Sequence, residues 1–274
     1  MPSSPVSSRI VLSAVLLLAA GTAPFLVAQD APLTKDQIRQ FLLTAQIIRS
    51  KESDKGVTHP SRLTLSNGTI THDASFQPVD VHKSSMTLAS GTTVINFVDS
   101  YKSNIAAYNL SELIGMDNMI PVYVERLWQG KLGSLSWWLP VKMDEQDRVA
   151  KKIEPPDSDA WNKQMYKVRV FDELIYDTDA NLTNVLIGPE WQIWRIDFTR
   201  AFRPEKKLHA PNDLVQCDRR LLESLKALKA DDVTAATKKY LTKDQVQALM
   251  VRRDLIVERF NQLIKEKGES AILY

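Results

Sequence analysis

Cysteine is almost missing from this chain: Cys217 stands alone among 274 residues, which excludes an internal disulfide framework and a cysteine-built zinc site. The histidines number 4 and are too scattered to suggest a metal site. Charge of one sign is missing too. Lys and Arg total 35 against 33 Asp and Glu, a formal net charge of +2, so no basic face advertises nucleic-acid binding. Beyond residue 29 no apolar run is long enough to cross a bilayer. What is present is a 44% hydrophobic, 25% charged composition, which fits one large or two small globular units with a substantial core.

The one long apolar run lies at the front. Arg9 precedes Ile10–Ala20, followed by Gly21 and Pro24. A short apolar stretch with one basic residue and helix breakers behind it reads as an export signal cut near Ala28. Leu26 fits poorly at the third position before that cut, and Ile10–Ala28 approaches the length of a membrane span, so an uncleaved anchor is the alternative. The expected location is therefore exported, periplasmic or secreted, with membrane anchorage as the variant. Residues 1–29 are set aside from the fold.

Thr34-Lys-Asp-Gln37 has capping-box form, and Ile38, Phe41, Leu42, Ala45 and Ile48 follow at helical spacing. The same letters return at Leu241-Thr-Lys-Asp-Gln-Val246 with nothing matching downstream, so two helices share one capping device without being a repeat. Alternation around Asn67-Gly68 predicts a hairpin over Arg62–His72, and a third strand is expected through Ala74–Val81. A helix is expected over Tyr101–Gly115, then two strands about a turn at Gly130. The polar stretch Lys142–Asp159, with Pro155-Pro156, reads as a connector. Beyond it come a helix from Ser158 or Asp159, a short hairpin through Val185–Ile187 and Trp191–Ile196, and helices over Leu221–Leu228 and from Thr242 to Gly268. This divides the chain into a leader (1–29), a β-rich lobe (30–140) and a helical lobe (141–274). The expected fold class is α+β.

Chemistry concentrates between Phe171 and Phe198. A helix runs into Asp177-Thr-Asp179-Ala-Asn-Leu-Thr-Asn184, and a hairpin then returns to Asp197-Phe198. Taken singly, Asp179, Asn181 and Asn184 are the residues that turns and helix ends select for side-chain to backbone bonds. Their ordered conjunction points further. An Asp after a helix can accept the proton of an attacking hydroxyl, while an Asn five residues on and an Asp beyond a hairpin can hold a metal that bridges nucleotide phosphates.

That segment resembles the catalytic core of the atypical protein-kinase-like superfamily, which includes HipA-type toxin kinases, phosphatidylinositol kinases and secreted Golgi casein kinases. Ser103–Gly115, running on to Ile120-Pro-Val, also resembles the small-lobe helix and following strand of the secreted kinases. The resemblance implies a bilobal protein-kinase-like fold, with a small antiparallel-sheet lobe and a larger, mainly helical lobe. It also implies a phosphotransferase using Mg²⁺ or Mn²⁺ and ATP or another nucleotide on a hydroxyl acceptor in a protein, glycan or small molecule. Carried over residue by residue, Asp179 is the catalytic base and Asn184 and Asp197 are the metal ligands.

There are departures. The resemblance calls for a Lys on the third strand and an acid on the small-lobe helix, yet Gln77 and Asn104 occupy those places. Gln77 with Lys83 or Lys102 would have to meet the phosphates, against the reading that both lysines are solvated surface residues. No glycine-rich phosphate-covering loop is present, and Thr199 replaces a Gly after the metal Asp. A catalytically inactive scaffold of the same fold, binding a protein or glycan partner, is therefore the second expectation. Trp137 and Trp138 end a strand where one of the pair is expected in the core, and Trp191 and Trp194 are expected to pack the hairpin. Sequons at Asn67, Asn109 and Asn181 would admit glycans, and one at Asn181 would block the cleft.

Overall fold

The two capping boxes form as their letters require. Thr34 donates its N–H to Gln37 Oε1 at 2.8 Å and accepts from the Gln37 N–H at 3.2 Å, and Thr242 with Gln245 repeats the exchange at 2.8 and 3.3 Å. The first box opens helix α1 (Lys35–Thr44), which buries Phe41 and Leu42. This computed structural model describes residues 1–2, 32–52, 60–88 and 91–274. The export signal or anchor expected over residues 1–29 lies outside them apart from residues 1–2. No described helix is long and apolar enough to cross a membrane.

Helix α1 stops earlier than its apolar spacing suggests. Ala45 turns extended and the chain enters strand β1 (Gln46–Glu52), where Ile48 sits at a bulge between Ile47 and Arg49 and is 54% exposed. Ladder bonds to the next strand override the helical period here. Strands β2 (Ser61–Ser66) and β3 (Thr71–Gln77) form the expected hairpin. Asn67 Oδ1 accepts from the Thr69 and Ile70 N–H groups at 3.1 and 2.8 Å, and Gly68 takes φ +90°.

The separate third strand is corrected. Ala74–Gln77 completes β3, Pro78 has no N–H to continue the ladder, and Asp80 starts β4 (Asp80–Thr87), which pairs with β5 (Thr93–Ser100) in a sheet of its own. Ser100 caps helix α2 (Tyr101–Ile114), and Gly115 ends it at φ +70°. Buried residues lie on nearly every side of α2, including Ala106, Ala107, Tyr108 and Leu110, because it packs between a sheet and the helical lobe. Strands β6 (Tyr123–Trp128) and β7 (Lys131–Trp137) complete an antiparallel sheet of order β1-β2-β3-β7-β6. Gly133 is required at the β3–β7 contact: a Cβ there would stand 2.7 Å from the Gln77 carbonyl oxygen.

The stretch read as a connector holds structure. It contains β8 (Met143–Asp144) and helix α3 (Glu145–Ala150), where Arg148 pairs with Glu145 at 2.7 Å. Asp157 caps α4 (Ser158–Ile175), which buries Val168, Phe171, Leu174 and Ile175. Strands β9 (Val185–Ile187) and β10 (Ile193–Arg195) form the short hairpin, with β8 beside β9. Helices α5 (Arg219–Ala227), α6 (Ala230–Thr237), α7 (Lys243–Lys267) and α8 (Glu269–Ile272) finish the chain. Helix α7 packs on α4 through a core that includes Leu249, Ile256 and Phe260. Its Arg252, fully buried, donates to the Leu174 carbonyl at 2.9 Å and so closes the end of α4, where the loop of interest begins.

Candidate active site

Helix α4 ends without glycine. Tyr176 takes the left-handed conformation at φ 50°, and its N–H reaches back to the Glu173 carbonyl at 3.3 Å. Asp177 then organises the loop beyond the helix. Its Oδ1 accepts from the Asp179 N–H at 2.9 Å, and its Oδ2 pairs with Arg195 Nη2. The Asp179 carbonyl accepts from the side-chain amides of Asn181 and Asn184, at 3.0 and 3.3 Å. Asn181 Oδ1 also caps the turn Leu182–Asn184. Asn181 and Asp177 are thus used as turn and cap residues, while Asn184 spends its nitrogen on the loop and turns its oxygen to no described protein donor.

The β9–β10 hairpin carries the chain back. The Ile196 N–H donates to the Asn184 carbonyl at 3.0 Å, which places Asp197 one residue beyond that pair. Asp197 adopts φ 57°, and Thr199 Oγ1 donates to its Oδ1 at 3.1 Å. Burial pushes its carboxyl above the usual carboxylate range, and the nearby Asp99 and Asp177 add to the shift. Arg200 Nη1 lies 3.2 Å from Asp179 Oδ2, and its Nε 3.3 Å from Asp99 Oδ2. Asp179 and Asn184 therefore share one loop and the hairpin returns the backbone next to Asp197 to Asn184, while Arg200 ties Asp179 to Asp99.

Two polar networks flank Asp197. On the helical side Arg195, 1% exposed, is shared by Asp172 (Nε to Oδ1, 3.1 Å) and Asp177. Burial pushes Asp172 up to about 7 and Asp177 in the same direction, and the shared guanidinium opposes both shifts. On the sheet side Asn104 Nδ2 donates to Gln77 Oε1 at 2.8 Å and to Ser134 Oγ at 3.1 Å, and its Oδ1 accepts from the Phe198 N–H at 2.7 Å. The residues that replace the expected ion pair thus do meet, as a neutral amide pair that also grips the residue after Asp197.

A cavity of about 220 Å³ opens at this point, with Asp197, Ile196 and Leu186 on one side and Gln77, Ser134 and Tyr123 on the other. Trp137 and Trp138 are both half-buried at its far end, whereas the alternation of the strand predicts one of them in the core. Burial, then Asp197, push the Tyr123 phenol up. Lys83 and Lys102 are not brought here: Lys83 is exposed on β4, and Lys102 Nζ donates to Asp80 Oδ2 at 2.8 Å. The cavity's lining cation is Arg62. Arg195 was missed in sequence, although in Ile193-Trp-Arg-Ile it alternates onto the face of the buried Ile193, which is the signal of a buried arginine. Arg200 and Arg62 carried no comparable signal.

Among the described residues no three His, Cys, Asp or Glu side chains form a metal cluster. Asp197 lines the cavity, and its carboxylate is a hard ligand of the kind Mg²⁺ takes alongside waters and phosphates; Asn184, held to the Asp179 carbonyl, is not among the lining residues. The half-buried Asp197, its carboxyl raised and the neighbouring Arg195 and Arg200 side chains paired with other carboxylates, fits a cation from solution.

No protein-family model matches the chain, and no curated protein matches it in sequence. Solved structures do match in shape. The structure of hydra Fam20 with sugar superposes at TM-score 0.64 and 15% identity, covering 89% of this chain and 93% of that one. A golgi casein kinase gives 0.60 at 13% identity over 87% and 79%, and the Helicobacter pylori proinflammatory kinase CtkA gives 0.50 at 10% over 83% and 97%. At such identities the shared property is the fold alone, an α+β architecture with antiparallel sheets like that of these solved structures.

Proposed function

We propose that this chain is a phosphotransferase that takes a nucleoside triphosphate and a divalent cation into the cavity beside Asp197 and passes a phosphoryl group to a hydroxyl acceptor. The observation that carries the reading is the placement of Asp197 beside Asn184 by the bond from Ile196 N–H to the Asn184 carbonyl, with Asp179 tied to the same loop. Mg²⁺ or Mn²⁺ would be held by the Asp197 carboxylate and Asn184 Oδ1, and would neutralise charge on the phosphate oxygens. Asp179, its side chain 43% exposed and steadied by Arg200, is the group to take the acceptor's proton. Trp137, Trp138 and Leu186 offer apolar surface to a base. Export through the N-terminal segment belongs to the same proposal.

Thermal unfolding of the full chain tests it. A triphosphate with Mn²⁺ at about 100 times its Kd adds about 2.7 kcal/mol of stability. Asp197→Asn loses the Mn²⁺-dependent part, whereas Asp179→Asn keeps binding and loses transfer. Absence of stabilisation by any nucleotide with Mg²⁺ or Mn²⁺ sinks the proposal. The neutral Gln77–Asn104 pair favours a second reading, a scaffold that binds a protein or glycan partner. It prevails if Asp179→Asn and Asp197→Asn leave the biological phenotype intact while changes on the cleft surface abolish it.

A further inference from the structure

The cavity has two chemically different ends. Strand register sets their separation: Gln77 faces Ser134 in the row bonded to Asn104, Ser75 faces both Ser136 and Arg62 in the next row, and Asp73 lies one row further out. From Gln77 to Asp73 the strand advances roughly 13 Å at ~3.3 Å per residue. Arg62 is drawn to that outer end. Its Nε donates to Asp73 Oδ2 at 2.7 Å, Nη2 lies 2.5 Å from the same oxygen, and its guanidinium carbon is 4.3 Å from the centre of the Trp138 ring. The Trp138 N–H in turn donates to the Asp73 carbonyl at 3.1 Å, which ties the strand end to this group. So placed, Arg62 stands at the end of the cavity away from Asp197, beside the aromatic surface that the proposed function gives to a base.

The outer end also has a one-sided hydrogen-bonding character. Guanidinium is a donor only. Asp73, the nearby acid, is consumed by Arg62 and by the Thr64 hydroxyl at 2.6 Å. Arg62 Nη1 meets no acceptor among the described residues, and of these the other lining side chains at this end, Pro60, Trp137, Trp138, Leu139 and Val141, offer no oxygen, the hydroxyls of Ser75 and Ser136 lying in the row of Arg62. A base edge read by the guanidinium must therefore bring acceptors. Guanine presents O6 and N7 side by side, the pair that an arginine fork matches, whereas adenine sets an amino donor where guanine has O6.

We infer that Arg62 is a specificity-determining residue that selects a guanine nucleotide over an adenine one. This rests on the nucleotide-dependent reading proposed above. With Mn²⁺ present, calorimetric titration of the full chain gives a GTP dissociation constant about tenfold below that of ATP. Arg62→Met removes the preference and leaves ATP binding in place. Arg62→Lys, which keeps the charge and the Asp73 partner but lacks the fork, also loses the preference. ATP or UTP binding as tightly as GTP to the unaltered chain overturns the inference, and so does a preference that survives Arg62→Met. Either result leaves nucleotide binding standing, whereas no binding by any triphosphate removes both proposals.

Discussion

The two networks beside Asp197 do comparable positioning with opposite chemistry. Below it, Arg195 is sealed between Asp172 and Asp177, three ionisable groups in a space that disfavours charge. Above it, Asn104 joins Gln77, Ser134 and the Phe198 N–H without any net charge. The charged cluster is held by mutual dependence, since each member's burial is tolerable only with the others present. The amide cluster is held by satisfied hydrogen bonds alone, so it carries no titration and no long-range field.

The sharpest way to break the comparison is Arg195→Leu. It strands two carboxyls in the interior and costs about 3–5 kcal/mol of stability in chemical denaturation. An effect under ~1 kcal/mol would show that the cluster is already neutral. The next effect is one of slope. Asp172 titrates near 7 in the folded chain, above its unfolded value, so the native state binds more protons and this group's contribution is fully present below about pH 4. Stability then falls as pH rises through about 7, and Asp172→Asn flattens that fall. A slope unchanged by Asp172→Asn would assign it elsewhere. The smallest effect belongs to the neutral cluster. Asn104→Ala leaves the Phe198 N–H and Gln77 Oε1 without their partner and costs about 1–3 kcal/mol, by the same amount at pH 5 and pH 8. A cost that changes with pH would place a charge in a network that holds none.

Local chemistry made part of this molecule legible in its letters. Thr34 and Thr242 announced helix starts, Asn67-Gly68 a hairpin, and Gly115 and Gly268 helix ends, because each effect is settled within a few residues. Strand β1 was hidden because Gln46–Glu52 is a charged edge strand without alternation, β4 because most of it is exposed, and β5 because its buried positions, Phe97, Asp99 and Ser100, fall only in its second half and two of them are polar. Helix α3 is short and buries little, so its residues read as part of a connector. At the site, the spacing of Asp179, Asn184 and Asp197 was visible. The bond from Phe198 to Asn104 spans 94 positions and the pairing of Arg200 with Asp99 spans 101, and nothing in the neighbourhood of either residue encodes its partner.

Asp197 itself occupies left-handed backbone at φ 57°, a strain of about 1–2 kcal/mol for a residue with a side chain. The chain on either side of it is anchored to different elements: the Ile196 N–H to the Asn184 carbonyl at the start of the hairpin, and the Phe198 N–H to Asn104 in helix α2. Any relative shift of the hairpin and helix α2 must therefore be taken up in the two or three residues between these anchors.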